Sequence, residues 1–293
     1  MGDWPDGAAG SDDLMVALHA RRSAPAIQAW HAARGSRGLA VVLTGTDLYG
    51  DIAMDPVALH SLELAQRLVV LQELGVAELP QAMRAKARVV FQSTGTRQTL
   101  DKTGAHLRAV MVGHLREVKR PATLFDAARL LAGRPDILID HIGEATEPAL
   151  GAQALALGRE CPSYRWLGGL PHEAVRKRIQ RAHVLVHTSR LEGGAHVVME
   201  AVCSATPVLA SRVPGNVGML GGGYEGYFAH GDAAGLAALL QRCRTAQGEP
   251  LQAPSTNFLG RLRAQCAERA PLFAPATERA AVQRLLQELL KTL

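Results

Sequence analysis

The sequence predicts an α/β protein with two doubly wound domains of parallel strands. Short apolar runs rich in β-branched residues alternate with helical patterns along the whole chain, as in parallel α/β architecture. The 293 residues exceed the usual size of one hydrophobic core, so two domains are expected. A polar, glycine-bearing stretch without apolar periodicity, 93–106, indicates the linker between the two domains.

The individual elements follow from these patterns in chain order. The predicted strands are 14–19, 39–44, 67–71, 87–92, 107–113, 137–142, 164–167, 183–188, 207–211 and 226–229. The predicted helices are 25–33, 57–66, 122–131, 148–159, 173–180, 195–203, 233–245 and an amphipathic helix at 275–293.

Composition excludes several classes of protein. A hydrophobic content of 47%, with 20% charged residues, is typical of a globular chain. The longest mostly apolar stretch, 196–210, contains Glu200 and Pro207 and is shorter than the ~20 residues of a membrane span. The acidic N-terminus lacks the basic region and apolar core of a signal peptide, so a cytoplasmic location without membrane association is expected.

The spacing of the cysteines and the net charge of the chain indicate which ligands the protein is suited to bind. The cysteines are far apart and form no C-x-x-C pair, which argues against zinc sites and a disulfide framework; they are Cys161, Cys203, Cys243 and Cys266. The net charge of +5 implies an anionic partner. Because the basic residues are dispersed and aromatics make up only 4%, small phosphate-bearing substrates fit better than nucleic acid.

The most informative motif places two glutamates around a glycine pair. Glu192 and Glu200 bracket Gly193, Gly194 and the start of a helix that follows the predicted strand 183–188. The glycines allow close approach of the backbone to a ligand, and the helix N-terminus favours a diphosphate. Their spacing corresponds to about 12 Å along a helix, the reach of a nucleotide sugar.

This spacing suggests separate roles for the two carboxylates. Glu200 is suited to accept hydrogen bonds from both ribose hydroxyls, and Glu192 to face the sugar. A glycine turn, a capped helix and a solvated Glu200 remain the alternative, because glutamate pairs at any one spacing are common.

A second motif, 112–119, ends the first strand of the second series. In a doubly wound domain the carboxyl ends of the strands line the ligand crevice. Arg116 and Lys119 are therefore placed to neutralise the charge on a departing diphosphate. The chain has no Asp-x-Asp metal motif, which favours metal-free chemistry. A solvated Lys/Arg cluster on a loop is the alternative interpretation.

Two loops in the first half of the chain contain further candidate binding residues. His19, Arg21 and Arg22 follow the first predicted strand, and arginine binds phosphate-like anions bidentately, so an anionic acceptor is expected there. Thr46 and Asp47 follow the second strand, where Asp47 would orient an acceptor group or a sugar hydroxyl, or else form a helix N-cap or turn.

For other polar residues the sequence gives weaker evidence of a functional role. The loop 213–218, with Asn216, either holds sugar hydroxyls or is an ordinary turn. Four histidines occur singly, without the grouping of metal ligands, which favours structural roles; they are His141, His183, His187 and His196.

Together these residues resemble the retaining glycosyltransferases of family 4. In that family two Rossmann-like domains face a cleft (the GT-B fold), and the second domain carries a Glu-x7-Glu signature and an Arg/Lys phosphate clamp. The resemblance covers nearly the whole chain. Within the superfamily, the segments at 18–24, 43–49, 112–119, 189–202 and 211–221 are similar to the selenosugar synthases of selenoneine biosynthesis.

The resemblance implies an activity and its substrates. Those enzymes join selenophosphate to a UDP-N-acetylhexosamine, giving a 1-seleno sugar and UDP, without a cofactor or metal. Arg116, Lys119 and Glu192 are then the catalytic residues. The nucleotide-sugar contacts are Gly113, His114, Arg116, Lys119, Arg190, Glu192, Gly193, Gly194, Ala195, His196, Glu200 and Asn216. The acceptor contacts are His19, Arg21, Arg22, Thr46 and Asp47.

The resemblance also implies a domain division and two departures. The acceptor-side domain covers 1–103, the nucleotide-sugar domain 104–260, and helices in 261–293 pack back on the first domain. The family's first strand and glycine-rich loop have no counterpart before Leu14, so we expect either a chain truncated at its N-terminus or an abbreviated first domain. His114 stands where arginine usually begins the clamp. A family 4 enzyme acting on a hydroxyl acceptor and a non-catalytic nucleotide-sugar binder are the alternatives.

Overall fold

The computed structural model describes residues 4–6, 9–248 and 257–291. Residues 1–3 and 7–8 of the acidic N-terminus, and residues 292–293 of the predicted last helix, lie outside the described residues. The chain forms two compact units. The first unit comprises Met1–Ser93, Leu191–Gly194 and Pro275–Leu293, and the second comprises Thr94–Arg190 and Ala195–Ala274.

Strands and helices alternate through most of both units. The strands are β1 (Met15–Leu18), β2 (Leu39–Val42), β3 (Arg67–Val70), β4 (Ala87–Val89), β5 (Leu107–Val112), β6 (Ile137–Ile142), β7 (Tyr164–Trp166), β8 (Val184–His187), β9 (Val208–Ser211) and β10 (Tyr227–Phe228). The helices are α1 (Ala24–Arg34), α2 (Ile52–Met54), α3 (Pro56–Leu64), α4 (Gly75–Glu78), α5 (Pro121–Leu130), α6 (Pro148–Glu160), α7 (His172–Arg181), α8 (His196–Val202), α9 (Pro214–Leu220), α10 (Ala233–Gly248), α11 (Phe258–Arg269) and α12 (Pro275–Leu290).

The first unit is built on a four-stranded parallel sheet in the order β1-β2-β3-β4. Alternate residues of a strand point to opposite faces, and β2 shows this clearly. Leu39 and Val41 pack into a core with Ile27 and Trp30 of α1. Ala40, the residue between them, packs on the other face with Leu285 and Leu289 of α12.

Helix α12 is also held to that face by charge. The Glu288 carboxylate lies 2.8 Å from Nε of Arg67 and 2.7 Å from Nη2 of Arg88, and both arginines are on strands of the sheet. The last helix of the chain is therefore part of the first unit, in packing and in ion pairing.

The second unit is built on a six-stranded parallel sheet in the order β10-β9-β8-β5-β6-β7. Strands β5, β6 and β7 run outward on one side and β8, β9 and β10 on the other, so the order reverses between β5 and β8. Ligands of such sheets bind beyond the carboxyl ends of the strands at this reversal. In this unit that position is occupied by the loops that follow β5 and β8.

The predicted α/β class with parallel sheets is confirmed, and each predicted strand contains an observed one. The short helical segments at Asp47–Asp51, α2 and α4 were not predicted, since they are too short for a periodic signal. The prediction of a loop at 213–218 was wrong, because these residues begin helix α9, although their Pro-Gly-Asn sequence is also typical of a turn. Among the described residues, no helix combines the length and the apolarity that crossing a bilayer would require.

Candidate functional site

The loop after β5 presents basic side chains at the reversal of the second sheet. The loop is anchored by the amide of Glu144, which donates to Nδ1 of His114 at 3.1 Å. The stem of Lys119 covers Gly113, because a Cβ at Gly113 would lie 3.7 Å from Cγ of Lys119. Arg116 is exposed, and within the described residues its guanidinium has no hydrogen bond or ion pair.

The loops after β5 and β8 are joined directly. The amide of Arg190 donates to the carbonyl of Val118 at 2.9 Å, and the hydroxyl of Thr188 donates to the carbonyl of Lys119 at 2.7 Å. These bonds fix the two loops beside each other at the crevice predicted from strand order. Arg190, which is exposed, therefore lies on a loop beside the basic side chains of the β5 loop.

The potential near these loops is positive. Burial lowers the pKa of His230, and the neighbouring guanidinium groups of Arg120 and Arg190 lower it further. Of these causes, only the two guanidinium charges favour an anion, and a diphosphate is an anion of suitable size.

Glu200 is a buried acidic residue of the second unit with three charged or hydrogen-bonding side chains around it. Its side chain is 4% exposed, although it follows the first turn of α8. Its Oε1 accepts from Nε2 of His172 at 2.6 Å and lies 3.5 Å from Nδ1 of His196 and 3.8 Å from Nε of Arg176. The solvated Glu200 of the alternative interpretation is therefore not what the structure contains.

Glu200 is nevertheless kept ionised. Burial acts to raise its pKa, but hydrogen bonds and charge from His196 and His172 outweigh burial, and the pKa lies below its ordinary value. At neutral pH the carboxylate is an acceptor only, as binding of a diol requires.

His172 and Arg176 were not identified from the sequence. Both lie on α7, and Nε of Arg176 is buried without a hydrogen-bond partner among the described residues. Their spacing of four places them on one helix face, but nothing in the local sequence shows that this face meets Glu200 on α8. Only the packing of the two helices brings them together.

Two predicted nucleotide-sugar contacts are buried. Ala195 is 3% exposed, and Asn216 is fully buried with its Nδ2 donating to the carbonyl of Ser211 at 2.9 Å. The hydroxyl of Ser211 in turn donates to the carbonyl of Ser189 at 2.6 Å. Asn216 thus holds the loops after β8 and β9 together, whereas His196 is half-exposed at the start of α8.

The glycine pair and Glu192 belong to the first unit. A Cβ at Gly193 would lie 2.5 Å from the carbonyl carbon and oxygen of Thr44, and one at Gly194 would lie 2.9 Å from Cβ of Leu71. The close approach that requires glycine is therefore to protein backbone of the first unit. Glu192 is 8% exposed and lies near Tyr49, whose pKa is raised by burial and then by nearby carboxylates that include Glu192.

The predicted acceptor loops are bonded to each other within the first unit. Asp47 is fully buried: its Oδ2 accepts from the amide of Ala20 at 3.0 Å, and its Oδ1 accepts from the amide and hydroxyl of Thr44 at 2.7 and 2.8 Å. Nε2 of His19 lies 3.1 Å from the hydroxyl of Thr46. Asp47 thus organises the turn, and His19 and Thr46 lie side by side.

The two predicted acceptor arginines differ in their surroundings. Nε of Arg21 lies 3.2 Å from Asp51 and 4.0 Å from Asp55, so its charge is partly neutralised. Arg22 is exposed, and its guanidinium has no hydrogen bond or ion pair within the described residues. Of the two, Arg22 is the one available to an anion.

Three of the isolated histidines lie in the interior of the second unit. His141 is fully buried, with Nδ1 3.0 Å from the hydroxyl of Tyr164. His183 accepts the amide of Arg108 on Nδ1 at 2.8 Å, and His187 is buried on β8.

Comparison with known proteins identifies the family. The model of the family described as "Glycosyl transferases group 1" matches residues 61–252, more than half of the chain. The chain belongs to this family. The resemblance to glycosyltransferases is therefore confirmed at the level of the family.

The relatives compared with the chain below are distant in sequence. The chain is 29% identical over 128 residues to "Glycosyltransferase 1 domain-containing protein 1" of Xenopus tropicalis, which covers 43% of the chain but only 36% of that relative. Sucrose-phosphate synthase of Thermosynechococcus elongatus superposes with a TM-score of 0.76 at 18% identity, covering 97% of this chain and 75% of that one.

A second similar structure contains bound ligands. HepE of Anabaena, in complex with UDP and glucose, superposes with a TM-score of 0.72 at 18% identity, covering 96% of this chain and 79% of that one. At such low identity, the two superpositions show only that the chain shares their fold.

Proposed function

We propose that this chain transfers the sugar of a UDP-sugar and binds the nucleotide in its second unit. The observation that carries the proposal is the buried, ionised carboxylate of Glu200 in the same unit as the exposed cations Arg116 and Arg190. A UDP-sugar complements both features. Its ribose offers two hydroxyl donors to the carboxylate, and its diphosphate offers two negative charges to the cations. The UDP in the HepE complex supports the choice of nucleotide.

We assign these cations to stabilise the leaving group. When the bond from C1 of the sugar to UDP breaks, negative charge develops on the diphosphate, and Arg116 and Lys119 are assigned to stabilise it. Arg190 joins them through the bonds between the loops after β5 and β8. The imidazole of His114 accepts the amide of Glu144 on Nδ1, which leaves its Nε2–H to donate a hydrogen bond to the diphosphate.

For the acceptor we propose selenophosphate, with a UDP-N-acetylhexosamine as donor. The support is the similarity of five segments to the selenosugar synthases, together with the exposed guanidinium of Arg22. Selenophosphate is ionised at neutral pH and needs no strong general base. The nearby carboxylate of Asp47 accepts hydrogen bonds on both oxygens and would not serve as one.

The reaction balances without a redox partner. The selenium lone pair attacks C1 and forms the C–Se bond, while the C1–O bond breaks and its electron pair leaves with UDP. Water then cleaves the P–Se bond, which gives the 1-seleno sugar and phosphate.

A hydroxyl acceptor is the second candidate, favoured by one observation. His19 lies with Nδ1 3.8 Å from Asp47 and Nε2 3.7 Å from Asp51, an imidazole backed by carboxylates as in a general base. Its ring is 6% exposed and would have to be reached by the acceptor hydroxyl.

Mass spectrometry separates these activities. The chain is incubated with selenophosphate and UDP-N-acetylglucosamine, and with the donor alone, and the Arg116→Ala variant serves as the reference for lost catalysis. A selenium-bearing sugar together with UDP supports the proposal. Release of UDP without a selenium-bearing sugar would refute selenophosphate as acceptor, and binding of UDP with no turnover would identify a non-catalytic binder.

A further inference from the structure

Three metal-ligating side chains converge in the second unit. His172 begins α7, His196 begins α8, and Glu200 follows His196 by four residues on the same helix. The nearest ligand atoms of these residues, one imidazole nitrogen from each histidine and a carboxylate oxygen, all lie within 4.8 Å of one another. His196 and Glu200 share a helix face because side chains four apart lie one above the other.

The donor set matches a particular kind of ion. Two imidazole nitrogens and one carboxylate oxygen form a three-ligand zinc site with a fourth position left open. Ligand atoms around a tetrahedral Zn²⁺ are about 3.3 Å apart. Oε1 of Glu200 lies 2.6 Å from Nε2 of His172 and 3.5 Å from Nδ1 of His196, and no pair of ligand atoms is more than 4.8 Å apart, so movements of at most about 1.5 Å would admit the ion.

The surroundings allow that movement. The side chains of His172 and His196 are 62% and 51% exposed, so both rings can rotate, whereas Glu200 is 4% exposed and provides a fixed ligand. Arg176, with its Nε 3.8 Å from Oε1, opposes a cation there. A reversible site is therefore expected, weaker than a closed four-ligand structural site.

We propose that His172, His196 and Glu200 bind one divalent transition-metal ion such as Zn²⁺, and that the ion and the nucleotide exclude each other. The exclusion rests on the proposed function, which assigns Glu200 to the ribose hydroxyls. If each oxygen of the carboxylate accepts one ribose hydroxyl, a metal ion on Oε1 occupies the position of one of the two hydroxyls. The metal site would thus inhibit the transferase.

Calorimetry with the metal alone tests the site. Zn²⁺ is titrated into the full chain without nucleotide and is expected to bind at one ion per chain, whereas Mg²⁺, which prefers oxygen ligands, is expected not to bind. His172→Ala and His196→Ala should each weaken Zn²⁺ binding by more than about tenfold. His60→Ala is the matched control, since His60 is also half-exposed and lies 3.1 Å from a carboxylate, that of Glu63.

A competition arm separates this inference from the proposed function. Uridine is the competitor because it carries the ribose hydroxyls without a diphosphate that would itself chelate Zn²⁺. A rise in the apparent Kd for Zn²⁺ with uridine supports the exclusion. Zn²⁺ binding that is unchanged in the His172→Ala/His196→Ala double variant, with unchanged circular dichroism, overturns the metal site and leaves the transferase proposal intact. Zn²⁺ binding that uridine does not affect, in a chain that binds uridine, overturns the exclusion and the ribose role of Glu200.

Discussion

At the scale of single residues, the proposed binding of a nucleotide by the second unit depends on Glu200. We expect Glu200→Ala to weaken binding of UDP by at least about 10- to 100-fold, since even one hydrogen bond to a charged group contributes roughly 1.5–3 kcal/mol. Isothermal titration calorimetry with UDP measures the change. Glu268→Ala on α11 is the control, because Glu268 is exposed and makes no described contact.

An unchanged Kd for UDP in Glu200→Ala would refute the assignment of the nucleotide to this unit. A loss that the Glu268→Ala control shares would instead indicate a general effect on folding, which a melting curve of each variant detects. The two variants remove the same charge, so net charge cannot explain a difference between them.

The basic residues of the β5 loop are expected to act on the chemical step. Arg116→Ala should lower kcat about 10²- to 10³-fold, the range for loss of one preorganised donor at a developing charge, with a smaller effect on KM. Steady-state release of UDP gives both constants. Lys177→Ala, which removes an exposed cation on α7, should leave them unchanged. A change in KM alone would show that Arg116 only binds the ground state.

Several of these candidate residues could be proposed from the sequence, and others could not. The spacing of Glu192 and Glu200 and the strand-end position of Arg116 are local patterns. The meeting of His172 and Arg176 with Glu200 depends on how α7 packs on α8, which no local pattern encodes. Burial of Asp47 and Asn216 is likewise a tertiary property, so their orientation away from solvent was not predictable.

At the scale of elements, the segment around Gly193 depends on a contact with backbone. We expect Gly193→Ala to displace this segment, because a Cβ would lie 2.5 Å from the carbonyl of Thr44, which cannot move as a flexible side chain does. The transfer rate should fall strongly, since Glu192 moves with the segment. The affinity for UDP should fall less, since Glu200 and the β5 loop belong to the second unit.

A matched glycine controls for the substitution itself. Gly223→Ala adds the same methyl group where nothing lies within 4 Å, so activity and melting temperature should match the unsubstituted chain. Parallel measurements of UDP affinity and sugar transfer on both variants decide the case. Normal transfer by Gly193→Ala would show that the position of Glu192 does not matter for the reaction.

At the scale of the whole molecule, the sequence indicates two α/β series but not the exact path of the chain between units. Periodicity assigns elements in order, and the linker composition at 93–106 marks where the series change. The return of Leu191–Gly194 and of α12 to the first unit depends on long-range packing. Leu285 and Leu289 give α12 an apolar face, but the pattern does not reveal that Ala40 and Val69 of the first sheet cover it.

Stability of the molecule should decrease in acid because of its buried histidines. Burial lowers the pKa of His141 to about 4, partly opposed by its hydrogen bond to the carbonyl of Gly113. Burial also lowers the pKa of His183 to about 4. In the unfolded chain both imidazoles titrate near pH 6.5. Between these values the unfolded chain binds more protons than the folded one, so the free energy of unfolding rises with pH.

The stabilisation is complete above about pH 6.5 and is lost progressively down to about pH 4, by roughly 3 kcal/mol for one such histidine. Urea denaturation at a series of pH values measures this slope. His141→Gln should make the slope shallower, because the variant has lost one of the groups that bind a proton only on unfolding. His60→Gln, at an exposed imidazole, should keep the slope of the original chain. An identical slope in His141→Gln would mean that burial of this imidazole does not control the acid sensitivity of the fold.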